Sequence, residues 1–364
     1  MSSADIIVGL AWGDEGKGAT VDAIAAHRPT DRVVRFNGGP QAGHNVIVSG
    51  VHHTFQSYGS ATMCGVPTWL SHYCTVEPTA ALAEREALKS KGIEADLINV
   101  DRRCLVTTPL HVAANRAREA ARGDNKHGST GLGFGETIAY SLDHPDAAPR
   151  AADLFDLATW NEKLDLLCDF YVERGLVTDD LLWIARELAD KQLTSSPLVL
   201  RLVTGDDLLS ELGRGHTIFE GAQGLWLDEN YGTSPHTTWS TTTPANARRL
   251  ARAAGIGDVV TIGCLRTYAT RHGAGPFPHE GTLDARADEP HNADTDYAGV
   301  FRTAVHDPAL IKAAIDITMV DALAISHTDI FPQFQTSAGP AAVDSFLPVL
   351  ITSAGPSREH RRGL

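Results

Sequence analysis

Asp5-Ile-Ile-Val-Gly-Leu-Ala-Trp-Gly-Asp-Glu-Gly-Lys-Gly18 is the stretch on which the reading of this chain turns. Its apolar run, Ile6 to Leu10, predicts a short buried strand, and Ala19 to Ala26 predicts the start of a helix. Between them lies a glycine-rich turn carrying Asp14, Glu15 and Lys17. Strand, glycine turn and helix together present free backbone N–H groups and a helix N-terminus to a phosphate. The turn is close to a P-loop without being one. That pattern requires a glycine, four residues, then Gly-Lys-Ser/Thr. Here Ala11 stands in place of the first glycine and Gly18 in place of the hydroxyl. The lost hydroxyl normally holds Mg²⁺, which leaves Asp14 as the acidic residue placed to replace it. Glycine-rich turns also serve tight packing alone, but two carboxylates and a lysine among three glycines favour a ligand.

The chain has 364 residues, with 43% apolar and 21% charged side chains, the balance of an ordinary globular protein. A formal net charge of -14 argues against a nucleic-acid surface and against an anionic membrane. The five cysteines, Cys64, Cys74, Cys104, Cys168 and Cys264, contain no Cys-x-x-Cys and read as thiols in a reducing compartment. No signal peptide precedes the first strand and no apolar run is long enough to span a bilayer, so the expected location is the cytoplasm.

Arg32 to Phe36 predicts a second strand, opening into Asn37-Gly-Gly-Pro-Gln41-Ala-Gly43-His44. His44, in a glycine loop beside a strand, is placed for catalysis or phosphate contact. Helices are predicted over Pro78 to Lys91 and Val112 to Arg122, with a strand within Asp96 to Val106. Gly128-Ser129-Thr130-Gly131 begins a third glycine loop, flanked by Lys126 and His127. An amphipathic helical insertion covers about 154–195 of what reads as a single catalytic domain, 1–364. His216 to Glu220 predicts a strand leading to Gly221-Ala-Gln223-Gly224, followed by the hydroxyl-rich run Thr237 to Thr243. Val259 to Leu265 predicts another strand, running through Arg266 to Thr270 into a rigid Arg271-to-Pro278 loop. A helix from Pro308 then leads to a predicted strand, Ile317 to Asp321. Alternating strands and helices imply an α/β fold with a mostly parallel sheet, its glycine loops gathered at the carboxyl edge.

Taken together, Trp12 to Gly18, Gly38-Gly39 through Gly43-His44, Gly128 to Gly133, Glu220 to Gly224, Gly232-Thr233 and Thr270 to Pro278 resemble the adenylosuccinate synthetase family. Thr352 to Pro356, with Gly355, echoes that family's C-terminal motif. The resemblance implies a homodimeric, P-loop-related ligase that condenses L-aspartate with a 6-oxopurine nucleoside monophosphate at the expense of GTP, with Mg²⁺. It implies that Asp14 removes the purine N1 proton and ligates Mg²⁺ beside the Gly43 carbonyl. His44 would stabilise the transferring phosphoryl group, and the Glu15 to Gly18 amides with Lys17 would hold phosphates. Gln223 would orient the purine, with Asn37 and Gln41 nearby; Ser129, Thr130 and Thr238 would take the 5′-phosphate. Arg271 and Arg302 would meet substrate carboxylates or ribose. Asp321 would read a donor guanine, although Met319 in place of a lysine also leaves ATP open as donor.

The chain also departs from that family. Its length resembles the short form, and the arginine-rich aspartate loop is here Asp294 to Arg302, retaining only Arg302. Arg150 is a poor substitute for the arginine that crosses the dimer. Gln41 replaces an asparagine and His272 a valine. Ser129-Thr130-Gly131 and Thr243-Pro244-Ala245 resemble the phage branch, which makes N6-succino-2-amino-2′-deoxyadenylate, a step toward aminoadenine DNA. The favoured acceptor is therefore dGMP, with IMP as the alternative. A reading of another class, an inactive nucleotide-binding regulator, rests on the depleted loop, against the retention of Asp14, Lys17, His44 and Gln223.

Overall fold

The computed structural model describes residues 2–281, 283, 299–331 and 347–363. Chain order among them begins β1 (Ser3–Gly9), α1 (Lys17–His27), β2 (Arg32–Arg35), β3 (His44–Val48), β4 (Val51–Phe55), β5 (Thr68–Leu70) and β6 (Thr75–Val76). It continues α2 (Pro78–Ser90), β7 (Ile98–Asp101), β8 (Leu105–Val106), α3 (Pro109–Ala121), α4 (Phe134–Asp143), α5 (Leu157–Glu173), α6 (Asp179–Val199) and β9 (Leu200–Val203). Then come α7 (Gly205–Leu212), β10 (His216–Glu220), α8 (Ala245–Ala253), β11 (Asp258–Arg266), β12 (Ala269–His272) and β13 (Phe301–Ala304). Last are α9 (Pro308–Thr318), β14 (Ala322–Ser326), β15 (Val349–Ser353) and β16 (Arg361–Arg362).

Ten of these strands form one sheet in the order β16-β15-β14-β11-β1-β10-β2-β5-β7-β9. Every pairing in it is parallel except β15 with β16. The first strand is central because its side chains are apolar on both faces, as a strand covered by helices on both sides requires. Ile7 joins Val21 and Ile24 of α1 on one face. Ile6, Val8 and Leu10 join Leu208 of α7, Leu250 of α8 and Ile311 of α9 on the other. A third core around β7 packs Ile98 and Val100 with Leu88, Leu110, Trp160, Leu164 and Tyr171 from α2, α3 and α5. The helical pattern between 154 and 195 resolves into α5 and α6.

Helix starts follow their caps. Glu77 accepts from the amides of Thr79 and Ala80 ahead of Pro78, and Thr108 with His111 forms a capping box. α1 and α4 differ: each begins at a left-handed glycine, Gly16 or Gly133, with no side-chain cap. Their first amides are thus left to another acceptor.

Two predicted strands need correction. Ile317 to Asp321 is not a strand: α9 runs to Thr318, Met319 closes it in the left-handed region at φ 48°, and the strand begins at Ala322. Likewise β11 ends at Arg266, and residues 269–272 form a separate antiparallel pair with β13. Among the described residues no helix is long and apolar enough to cross a membrane, and all five cysteines are free thiols.

Candidate active site

Five parallel strands deliver their carboxyl ends to one edge, the place where an open α/β sheet binds ligands. From β1 comes the 10–16 loop, from β2 the 37–43 loop, from β10 Gly221 to Gly224, from β14 His327 to Asp329, and from β15 Gly355. The loops approach so closely that side chains are excluded. A Cβ on Gly224 would lie 2.4 Å from the Ala11 carbonyl oxygen, and one on Gly18 would lie 2.5 Å from the Cβ of His44.

Glu15 organises the first loop from within. Its buried carboxylate accepts from the Ala11 and Gly13 amides at 2.9 and 3.0 Å and from Lys17 Nζ at 2.8 Å. Lys17 is therefore buried and paired with Glu15. What the loop presents outward is Asp14, held in the left-handed region at φ 60°, together with the uncapped N-terminus of α1 behind Gly16. Aspartate adopts that backbone only where its surroundings demand it, which is common at functional sites. Burial pushes the Asp14 carboxyl up, but a hydrogen bond from His272 and the charges of Arg266, His272 and Lys17 outweigh that and hold it near a pKa of about 2. Trp12 anchors the loop edge-on against Phe277, with ring centres 5.0 Å apart.

His44 opens β3 and is fixed by Glu220, to which the sequence reading gave a place in a motif but no role. Its Nδ1 lies 2.6 Å from Glu220 Oε1, and the same carboxylate accepts from the Ser60 amide at 3.0 Å and from the Ser60 hydroxyl. His44 Nε2 is buried with no hydrogen-bond partner. So are both side-chain polar atoms of Gln41 and Oε1 of Gln223, whose backbone is also left-handed at φ 64°. Buried polar atoms are mostly paired in native proteins; these lie on the loops at the carboxyl edge, and others without a partner occur elsewhere among the described residues.

Asn37 plays a different part. Its amide donates to the Ala222 carbonyl and Ser240 hydroxyl and accepts from the Ala222 amide, which ties the second loop to the Gly221–Gly224 turn. Gly43 is exposed beside His44. The residues on either side of the Gly128–Gly133 loop lie against the Thr238 segment: Trp239 packs over Gly135, and His236 Nδ1 is 3.3 Å from the His127 carbonyl oxygen. Within it Ser129 is tied to Asn115, at 3.0 Å, while Thr130 is exposed. Thr238 is half-buried, its amide bonded to Leu227.

Arg271 is buried, and its guanidinium donates to the carbonyls of His236, Ala274 and Pro276, bracing the loop. Burial and the nearby charge of Arg302 lower its pKa to about 10. Arg302, opposite it on β13, pairs with Glu280 at 2.8 Å and leaves Nε buried without a partner. The remainder of the predicted aspartate loop, 294–298, lies outside the described residues. Arg150 is engaged by the carbonyls of Arg103 and Pro145.

Asp321 is the clearest misplacement. It precedes β14, at the amino end of a strand whose carboxyl end meets the site, and its carboxylate accepts from the Thr261 amide at 2.7 Å. The acid at the correct end is Asp329, exposed in the turn after Ser326, whose hydroxyl reaches the Glu15 carbonyl. Gly355 stands at the same edge, its carbonyl accepting from Ser353.

The family profile described as adenylosuccinate synthetase matches residues 6–337. The adenylosuccinate synthetase of Bordetella avium is 31% identical over 347 residues, covering 91% of this chain and 78% of that protein. That of Herminiimonas arsenicoxydans is 32% identical over 354 residues, covering 92% and 79%. In structure, the fully ligated adenylosuccinate synthetase of Plasmodium falciparum superposes with a TM-score of 0.79 at 16% identity, over 98% of each chain. The succinoaminodeoxyadenylate synthetase of cyanophage S-2L, bound to dGMP and to dATP as an energy donor, gives 0.71 at 16% identity, over 100% of this chain and 95% of that one. The chain therefore belongs to the adenylosuccinate synthetase family, ligases that form a C–N bond between aspartate and a purine nucleotide.

Proposed function

We propose that this ligase uses dGMP as its acceptor, producing N6-succino-2-amino-2′-deoxyadenylate with GTP or ATP as phosphoryl donor. The observation that carries the reading is the set of buried, unpartnered polar atoms on Gln41, His44 and Gln223. The 2-amino group is an extra donor on the purine, and it needs an extra acceptor. Two buried amide oxygens, on Gln41 and Gln223, supply acceptors at the residues read as flanking the base. A site whose polar groups match a substrate group discriminates strongly against the analogue lacking it. The S-2L enzyme, which shares the fold, binds dGMP. IMP is the second reading, favoured by relatives at 31–32% identity named as adenylosuccinate synthetases.

A purine 6-oxygen is a poor leaving group until it is phosphorylated. Asp14, ionised and presented outward, takes the N1 proton and so makes the 6-oxygen a nucleophile toward the donor γ-phosphate. The amides behind Gly16 receive donor phosphates at the positive end of α1. His44 Nε2 stands toward the transferring group while Glu220 fixes the ring. The aspartate amine then displaces phosphate at C6, forming the C–N bond, and Arg302 meets the aspartate carboxylates. Ser129, Thr130 and Thr238 take the acceptor 5′-phosphate, and Asp329 takes over from Asp321 as reader of the donor base. One carboxylate and one carbonyl, Asp14 and Gly43, suit Mg²⁺, which keeps waters and takes the rest of its ligands from phosphates. That ion would neutralise charge on the phosphates.

The test is a product assay offering dGMP, GMP or IMP with aspartate and either GTP or ATP, read by mass spectrometry. Succinylated dGMP is expected as the main product. Turnover confined to IMP overturns the acceptor assignment. Asp14→Ala and His44→Ala should each abolish turnover in protein that circular dichroism shows to remain folded.

A further inference from the structure

Three contacts fasten Gly13-Asp14 to the stretch from the end of β11 through β12. The Arg266 Nε donates to the Asp14 carbonyl, and Thr270 Oγ1 donates to the Gly13 carbonyl at 3.2 Å. Both grip backbone. The third does not: His272 Nε2 stands 3.2 Å from Oδ2 of the Asp14 carboxylate, both side chains 31% exposed. Among the described residues no hydrogen bond to Oδ1 is formed. His272 is itself oriented, its ring packed on Phe301 across the β12–β13 pair with centres 4.9 Å apart. Gly273 N bonds to the Val300 carbonyl at 3.1 Å, closing the strand pair just beyond the histidine.

We infer that His272 is a positioning residue for Asp14, holding Oδ2 so that Oδ1 alone is presented to the acceptor. A left-handed aspartate with a short side chain has few restraints of its own on χ1 and χ2. Holding one oxygen restricts both torsions together, and the grip comes from a strand pair instead of from the mobile end of another long side chain. A carboxylate oxygen displaced by an ångström from the proton it removes loses much of its advantage in rate, while the acceptor's other contacts are unaffected. The inference rests on the reading of Asp14 as the base.

The test compares His272→Val, His272→Gln and Asp14→Asn in the full-length protein, using whichever of dGMP or IMP is turned over. His272→Val is expected to lower kcat by about tenfold or more. The acceptor KM, and the acceptor Kd measured by calorimetry without donor, should stay within about threefold, because uniform binding is not altered. His272→Gln keeps a donor near the same position and should recover most of kcat, which a loss of packing alone would not predict. Wild-type kcat in His272→Val with an inactive Asp14→Asn overturns the role of His272 and leaves the Asp14 reading standing. So does a parallel rise of Kd and KM in His272→Val with kcat unchanged. Wild-type turnover in Asp14→Asn overturns the base reading itself. Should His272→Val fail to fold, a kcat for His272→Gln at the level of Asp14→Asn overturns the inference as well.

Discussion

At the scale of single residues, Glu220 is the group that fixes the His44 ring. Glu220 is fully buried, and burial alone would raise its pKa. The neighbouring His44 ring, Arg35 and the Ser60 hydroxyl outweigh that and lower it from 4.5 to about 2. A carboxyl shifted down on folding stabilises the native state at any pH above its unfolded value, and loses that contribution as pH falls from 4.5 toward 2. At about 1.4 kcal/mol per unit, the wild type should lose roughly 2 kcal/mol between pH 7 and pH 3 that Glu220→Gln does not. Urea unfolding of both proteins at the two pH values measures this. Equal losses in the two proteins would mean that the carboxylate is not ionised against His44 in the fold.

At the scale of elements, α1 has an uncapped N-terminus at one end and is latched to the C-terminal segment along its side. Arg358 reaches Asp22 of α1 with two bonds, of 2.8 and 2.5 Å, and its Nη2 lies 3.1 Å from Cys64 Sγ. The Asp22 side chain is 1% exposed and that of Arg358 20%. Removing one partner strands a buried charge, so Arg358→Ala should cost about 3 kcal/mol in chemical denaturation. Adding Asp22→Asn should recover part of this, since the orphaned charge is then gone; a cost below about 1 kcal/mol would show the latch to be surface-like. This latch was invisible in the sequence, where its partners lie 336 residues apart. Local signals did better. Apolar runs, glycine turns and proline-led helix starts located β1, α1, β10 and α9. They failed at Ile317 to Asp321, where the apolar period of the helix runs straight into the strand and only a left-handed Met319 marks the break. The error displaced Asp321 to the wrong end of β14. The pairing of β12 with β13, which places His272 beside Asp14, is a non-local contact that no periodicity announces.

At the scale of the whole molecule, every substrate of the proposed reaction is an anion, yet the chain carries a formal charge of -14. The crevice balances this only locally. Among the described residues Lys17 is neutralised by Glu15 and Arg302 is paired with Glu280, while Arg271, without a carboxylate partner, is buried against backbone carbonyls, so little positive charge faces outward to offset the field of the whole protein. At about 10 mM salt the Debye length is roughly 30 Å, comparable to the protein, and an approaching nucleotide meets the net negative potential before the helix amides. At about 150 mM it is roughly 8 Å, and the short-range contacts act alone. Nucleotide association should therefore speed up several-fold between these conditions, the reverse of an electrostatically steered enzyme, whose association slows as salt rises. Stopped-flow binding of a fluorescent GTP analogue across that range measures it at constant free Mg²⁺. A rate that falls with salt would mean that the crevice focuses positive potential beyond its mouth, and that the arrangement of its few cations outweighs the net charge.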